Sequence, residues 1–315
     1  MERYHIERMS TYNRTCKLSD FRVIKKKDYV VVTSATLTGD APKKFIRVYK
    51  YHQTSRVHRG NSKTWVAYIA KTGHKWYPNE SVTEFLLNKL GEIFGLNMAE
   101  SELAIINGQL RFLSKYFLQP GYELVHGAEI FAGYLSDEQF VNDVEEQGLS
   151  RDIFTMQFVD SSVTALFPKQ RDYIMHELVR LLLYDALVGN NDRHYFNWGI
   201  VRKIGNENEL VFAPVYDTAR GLFWNDDDEK ILKITQDVNR KPQYIEKYCR
   251  NSRPKLGWEG DDKLNHFSMV EHIIKNKFYI EKEEVCRLFK QEVLDTMCEM
   301  IDETFGKWYI PERTD

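Results

Sequence analysis

The sequence predicts an α+β fold of two lobes: an N-terminal lobe made of an antiparallel sheet with one helix, and a mainly helical C-terminal lobe. Between Tyr29 and Leu118 the apolar residues fall in short β-branched and aromatic runs, the pattern of strands. Beyond residue 121 they recur mostly at the three-and-four spacing of helices. Gln119-Pro120-Gly121 separates the two regimes as a hinge, which puts residues 1–118 in one lobe and 119–315 in the other. A chain of 315 residues is long enough for two lobes sharing a cleft.

In order, strands are expected at 29–32, 45–49, 64–69, 103–106 and 110–117. One helix interrupts them from Glu80 to Phe94, with Phe85, Leu86, Leu90 and Ile93 at helical spacing and Gly95 as its stop. Further helices are expected at 137–146, 168–188, 264–276 and 282–305, with Pro168 in the first turn of the second. Strands at 198–202 and 210–212 bracket a turn at Asn206, a hairpin with polar residues at both ends.

Hydrophobic residues at 43% and aromatics at 13%, without a long Pro, Gly or Ser tract, exclude a disordered chain. The N-terminus lacks an apolar signal region, and the longest apolar stretch, 178–188, is broken by Arg180 and Asp185. Cys16, Cys249, Cys286 and Cys298 show neither C-x-x-C pairing nor zinc spacing, which fits a reducing, cytoplasmic setting. The first 65 residues carry about ten more Lys and Arg than Asp and Glu, a surplus open to two readings: a phosphate-facing surface or a solvated strand face. No nucleic-acid-binding motif accompanies it.

The chemistry-bearing residues flank the hairpin. Gly189-Asn190-Asn191-Asp192-Arg193-His194-Tyr195-Phe196-Asn197 precedes it and Ala213-Pro214-Val215-Tyr216-Asp217 follows it, so two Asp and one Asn can converge at the mouth of a cleft. Taken singly, such residues cap helices and build turns. As a set they suit phosphoryl transfer, where positioning and charge neutralisation do most of the work. Asn197 and Asp217 are hard oxygen donors suited to Mg2+, and Asp192 is the candidate catalytic base. Upstream, Gly60-Asn61-Ser62-Lys63 could cover the phosphates of ATP with backbone amides, although an ordinary hairpin turn explains it equally well. Lys71 is the candidate phosphate-binding cation and Glu84 its ion-pair partner.

These segments resemble the HipA-like serine/threonine kinases, a family of toxin–antitoxin kinases with a two-lobed protein-kinase-like fold and a distant similarity to phosphoinositide kinases. Residues 189–197 look like its G-N-x-D-x-H-x-x-N loop, residues 213–217 like its A-P-x-Y-D segment, and Ser81 to Asn97 like its helix carrying the Lys-pairing Glu. The resemblance covers about residues 55–220 and is closest at the two catalytic segments. It implies ATP and Mg2+ as cofactors, Asp192 and His194 as catalytic residues, Asn197 and Asp217 as metal ligands, Lys71 at the phosphates, and an adenine hinge including Ser114 and Tyr116. The chain looks like short-form members, which implies a small antitoxin or other partner protein supplying the missing N-terminal subdomain. The Gly60 loop is shorter than the family's usual G-A-Q-x-K-T.

The leading expectation is an ATP- and Mg-dependent protein kinase, a toxin or effector, with autophosphorylation at Ser62 or Ser55 in or near the Gly60 loop. Export as an effector without a cleaved signal remains compatible with the sequence. Arg193 gives the loop the Asp-Arg-His form of phosphoinositide kinases, so a lipid or small-molecule kinase is one alternative; the acidic run Asn225 to Glu229, which reads first as a solvated loop, still disfavours a polyanionic substrate. A catalytically silent nucleotide-binding module is the other.

Overall fold

The computed structural model describes residues 8–9, 16–33, 43–50, 57–73 and 76–315. The strands are β1 (Arg8–Met9), β2 (Arg22–Ile24), β3 (Tyr29–Val31), β4 (Lys43–Val48), β5 (Val66–Lys71), β6 (Trp76–Tyr77), β7 (Ser101–Ile106), β8 (Gln109–Lys115), β9 (Tyr122–His126), β10 (Gly199–Lys203) and β11 (Asn206–Phe212). The helices are α1 (Asn79–Ile93), α2 (Gly127–Leu135), α3 (Phe140–Glu146), α4 (Ser150–Ile153), α5 (Met156–Leu166), α6 (Arg171–Val188), α7 (Asp228–Thr235), α8 (Arg240–Asn251), α9 (His266–Asn276), α10 (Lys282–Leu288), α11 (Gln291–Met300) and α12 (Pro311–Thr314).

A six-stranded sheet in the order β2-β7-β8-β5-β4-β3 forms the N-terminal lobe with α1. All its neighbouring pairs are antiparallel except β2–β7. Its alternating pattern buries Ile46, Val48, Tyr68, Ala70, Ala104 and Leu113 as a small core of their own. The other face lies against α1, whose Val82, Leu86, Leu87 and Leu90 join the main core. Gly95, at φ 87°, ends the helix in a left-handed conformation that a residue with a Cβ adopts only at a cost.

In the helical lobe, α6 is the central element. Ile174, Met175, Leu178, Val179, Leu181, Leu182, Leu183, Tyr184 and Val188 are all buried, each worth about 1.5–3 kcal/mol relative to exposure for a side chain of this kind. Helices α5 and α9 pack on α6, and α2 packs on α5. Strands β9, β10 and β11 form a three-stranded antiparallel sheet, with residues 189–197 leading into β10 and residues 213–217 leaving β11 at the same end of the hairpin. Gly199, the first residue of β10, passes so close to β9 that a Cβ there would lie 2.3 Å from the Val125 carbonyl oxygen.

Several expected boundaries differ. Pro168 precedes the helix instead of opening it, because Phe167 N–H still bonds Val163 of the preceding helix and α6 begins at Arg171. The expected single helix 282–305 breaks at Phe289 and Lys290 into α10 and α11, followed by a π turn at Ile301–Phe305. The acidic run also reads differently: Asp226 and Asp228 are buried, Asp227 caps α7 by accepting from Lys230 N–H, and Glu229 pairs with Lys233. The run is therefore largely neutralised within the fold and carries no weight against an anionic substrate.

Candidate active site

Lys71 ends β5 at the sheet's rim, where its side chain is buried. Its Nζ donates to Glu84 Oε1 of α1 at 2.5 Å and to Asp217 Oδ1 at 2.8 Å. Three residues separated by up to 146 positions thus meet at one ammonium. Burial opposes the charge on Lys71, but Asp217 and Glu84 more than offset it and raise its pKa. Burial of Asp217 likewise opposes ionisation, and Lys71, aided by Lys43 and Arg193, holds the carboxyl well below the usual range. Glu84 is pushed up to about 6 by burial, with Lys71 pulling the other way.

Asp217 sits at φ 55°, a left-handed conformation uncommon outside glycine and best tolerated by Asp and Asn. The segment before it is fixed by Val215, which pairs with Met98 in an isolated parallel bridge. Val215 N–H donates to Asn97 O at 2.7 Å and Ala99 N–H to Val215 O at 2.9 Å. The loop after α1 therefore carries the Asp217 segment on its backbone.

The loop from Gly189 to Asn197 is organised around a buried ion pair. Asp185 of α6 and Arg193, both almost wholly buried, meet through Nε–Oδ2 at 2.9 Å and Nη2–Oδ1 at 3.1 Å, and Asn190 Nδ2 adds a bond to Oδ1 at 2.8 Å. The guanidinium then donates to the carbonyls of Asn197 and Tyr216, both at 2.9 Å, and to Thr218 Oγ1 at 2.8 Å. Arg193 thus ties the 189–197 loop to the Asp217 segment, and its buried guanidinium is taken up by these bonds instead of facing an anionic lipid. In the sequence Asp185 breaks the apolar run of α6; a lone carboxylate on a buried helix face is the available signal for this network.

Asp192 is partly exposed, and Arg220 approaches its carboxylate at 3.2 Å, Nε to Oδ2. Burial raises the Asp192 pKa, while Arg220, His194 and Lys255 pull it down. The Arg220 guanidinium also lies over the Trp224 ring, 5.3 Å from its centroid. No motif in the sequence singles out Arg220. His194 Nδ1 accepts from Phe196 N–H at 3.2 Å, which requires Nδ1 to be unprotonated, and burial lowers the imidazole's pKa. Asn197 Nδ2 donates to Asp192 O at 2.8 Å, leaving its Oδ1 as the atom able to meet a cation.

Among the described residues no group of three or more His, Cys, Asp and Glu is arranged to hold a metal by itself. The hard oxygens of Asn197 and Asp217 fit a Mg2+ ion, which they would hold together with oxygens from outside the protein. A groove of about 670 Å³ lined by Asp160, Arg171, Tyr173 and Tyr279 involves none of these residues.

The remaining expected residues take no part in these bonds. Gly60, Asn61, Ser62 and Lys63 form a turn in which Asn61 Oδ1 accepts from Lys63 N–H and Arg47 donates to Lys63 O at 2.8 Å. They precede β5, whose length of about 20 Å separates them from Lys71. Ser114 lies in β8 opposite Ile69 and Ser101. Tyr116 N–H donates to Ala67 O at 2.9 Å, and its half-exposed ring meets Phe45 edge-on. Ser55 lies outside the described residues.

Comparisons with known proteins agree with this architecture. Serine/threonine-protein kinase CtkA of Helicobacter pylori strain J99 is 23% identical over 194 residues, 62% of this chain and 55% of that protein, so the chain spans about half the length of this curated relative. The crystal structure of a Helicobacter pylori proinflammatory kinase CtkA superposes with a TM-score of 0.67 at 17% identity, covering 98% of this chain and 91% of that one, and shows a shared fold. HipA of Shewanella oneidensis MR-1, in a toxin–antitoxin complex with HipB and operator DNA, aligns over 87% of this chain and 59% of that one at 13% identity and a TM-score of 0.48. The model of the HipA-like C-terminal domain matches residues 35–297, and the chain belongs to that family.

Proposed function

We propose that this chain is an ATP- and Mg-dependent serine/threonine protein kinase, acting as a toxin or effector, with its lobe boundary at residue 118. The observation that carries the proposal is the convergence of Lys71, Glu84 and Asp217 on one buried ammonium at the edge of the segment tied to Asp192 and Asn197. Lys71 neutralises phosphate oxygens of ATP, and Glu84 keeps its ammonium in place. Asn197 and Asp217 hold Mg2+, which supplies charge neutralisation on the phosphates. The acceptor hydroxyl oxygen bonds to the γ-phosphorus, the bond from that phosphorus to the β,γ-bridging oxygen breaks, ADP leaves, and the hydroxyl proton passes to Asp192. Neutral His194 orients the loop at Asp192 and carries no proton in this step.

The test is incubation with labelled ATP and Mg2+, with and without cell extract, followed by separation of proteins from lipids. Label on protein, lost with Asp217→Asn, is the expected result. Label confined to lipid would replace the protein substrate, and nucleotide binding without any transfer would make the chain a silent module.

Self-modification is proposed at Ser62, whose turn lies at the far end of β5 from Lys71 and so needs a rearranged loop or a second copy. Intact-mass analysis after incubation with ATP is expected to show one added phosphate that Ser62→Ala removes; an unchanged mass for the wild-type chain would end this part of the proposal.

A further inference from the structure

Residues 305–313 pack against α1, the helix that carries Glu84. Phe305 meets Phe85 at 5.8 Å between ring centroids, and Trp308 meets Phe21 at 4.8 Å. The Tyr309 hydroxyl, 3% exposed with its residue, bonds Thr83 Oγ1 at 2.8 Å, one position before Glu84. Arg313 places Nε and Nη2 on Asp228 Oδ1 at 3.0 and 2.8 Å, and the same oxygen accepts from Asn79 Nδ2 at 2.9 Å. Arg313 Nη2 also donates to the Asp226 carbonyl at 2.8 Å. Asn79 is the first residue of α1, while Asp226 and Asp228 follow Asp217 closely in the chain.

Two bridges therefore join α1 to Asp217 and the segment after it. One runs through Lys71 inside the site; the other runs through Asn79, Asp228 and Arg313 outside it. The second has a mechanical reason to exist. Helix α1 begins at Pro78 without a side-chain cap, and a helix of 15 residues is marginal without tertiary support. Its first turn is held by the buried Asp228 carboxylate, a charge that also suits a helix N-terminus. Small displacements of Glu84 act directly on a 2.5 Å bond to Lys71.

We propose that residues 305–313 are a clamp on α1, with Tyr309 and Arg313 as positioning residues that set Glu84 against Lys71 and Asp217. Neither touches the reacting atoms. The catalytic part of the test rests on the phosphotransfer reading; the exchange part does not. Tyr309→Phe and Arg313→Lys are made in the full chain, together with the double variant Thr83→Val/Tyr309→Phe, which removes both partners of the hydroxyl bond. Amide hydrogen exchange is followed in residues 80–92 and, as an internal reference, in α6.

The single variants are expected to speed exchange in α1 about 5- to 10-fold, the size of one lost hydrogen bond, with α6 unchanged. Phosphate transfer well below the unfolding temperature is expected to fall through kcat, and the double variant to recover part of both losses by leaving no buried hydroxyl unpaired. If the wild-type chain transfers no phosphate, the function proposed above fails while the exchange result still decides whether the clamp exists. Unchanged exchange in α1, or faster exchange throughout the chain with kcat preserved, would overturn the clamp.

Discussion

Asp192→Asn is expected to slow phosphate transfer by about 10²- to 10⁴-fold, the range for losing a general base, while the fold persists. The backbone of residue 192 makes the structural bonds: its carbonyl accepts from Asn197 Nδ2 and from His194 N–H, and its N–H donates to Asn190. An amide of the same shape leaves all three intact. Arg220 loses a carboxylate, but its side chain is 37% exposed and water takes the place of the partner at little cost. Single-turnover transfer of labelled phosphate, with circular dichroism as the fold control, decides the matter. Transfer at the wild-type rate would remove Asp192 from the mechanism.

Asp185→Ala attacks the same site from below and is expected to cost about 3–5 kcal/mol of stability, because it strands Arg193 as a buried charge without its carboxylate. The loss exceeds what one apolar contact of α6 contributes, since Asp185 fixes both the guanidinium and Asn190. Phosphate transfer should fall as well, because Arg193 bonds the carbonyls of Asn197 and Tyr216 and thereby sets the spacing of the two metal-ligand candidates. Urea unfolding measures the first effect. A midpoint shift worth less than about 1 kcal/mol would show that the guanidinium finds other support, contrary to the buried-pair argument.

Much of this is readable in the sequence where the signal is local. Asp192 and Asn197 stand out just before a short strand hairpin and Asp217 just after it, and Gly95 and Gly189 mark helix ends that the backbone uses, at φ 87° and 64°. What escapes is decided over long distances. Nothing near Arg313 tells that it meets Asp228, 85 residues away, or that Asn79 lies 149 residues from the same carboxylate. The acidic run at 226–229 looks like a solvated loop because charge runs usually are, and only the fold shows that two of its carboxylates face inward. Helices α2, α5, α7 and α8 run only 8 to 12 residues each, lengths at which a helix relies on tertiary support.

The left-handed backbone of Asp217 has a practical corollary for finding the acceptor. Alanine there would combine loss of the carboxylate with backbone strain of about 1–2 kcal/mol, whereas asparagine enters that conformation nearly as readily as aspartate. On the proposed function, a chain with the Asp217→Asn substitution is expected to keep its local backbone while failing to complete a turnover. It is the form to immobilise as bait, since a bound acceptor would leave only by dissociation and never as product.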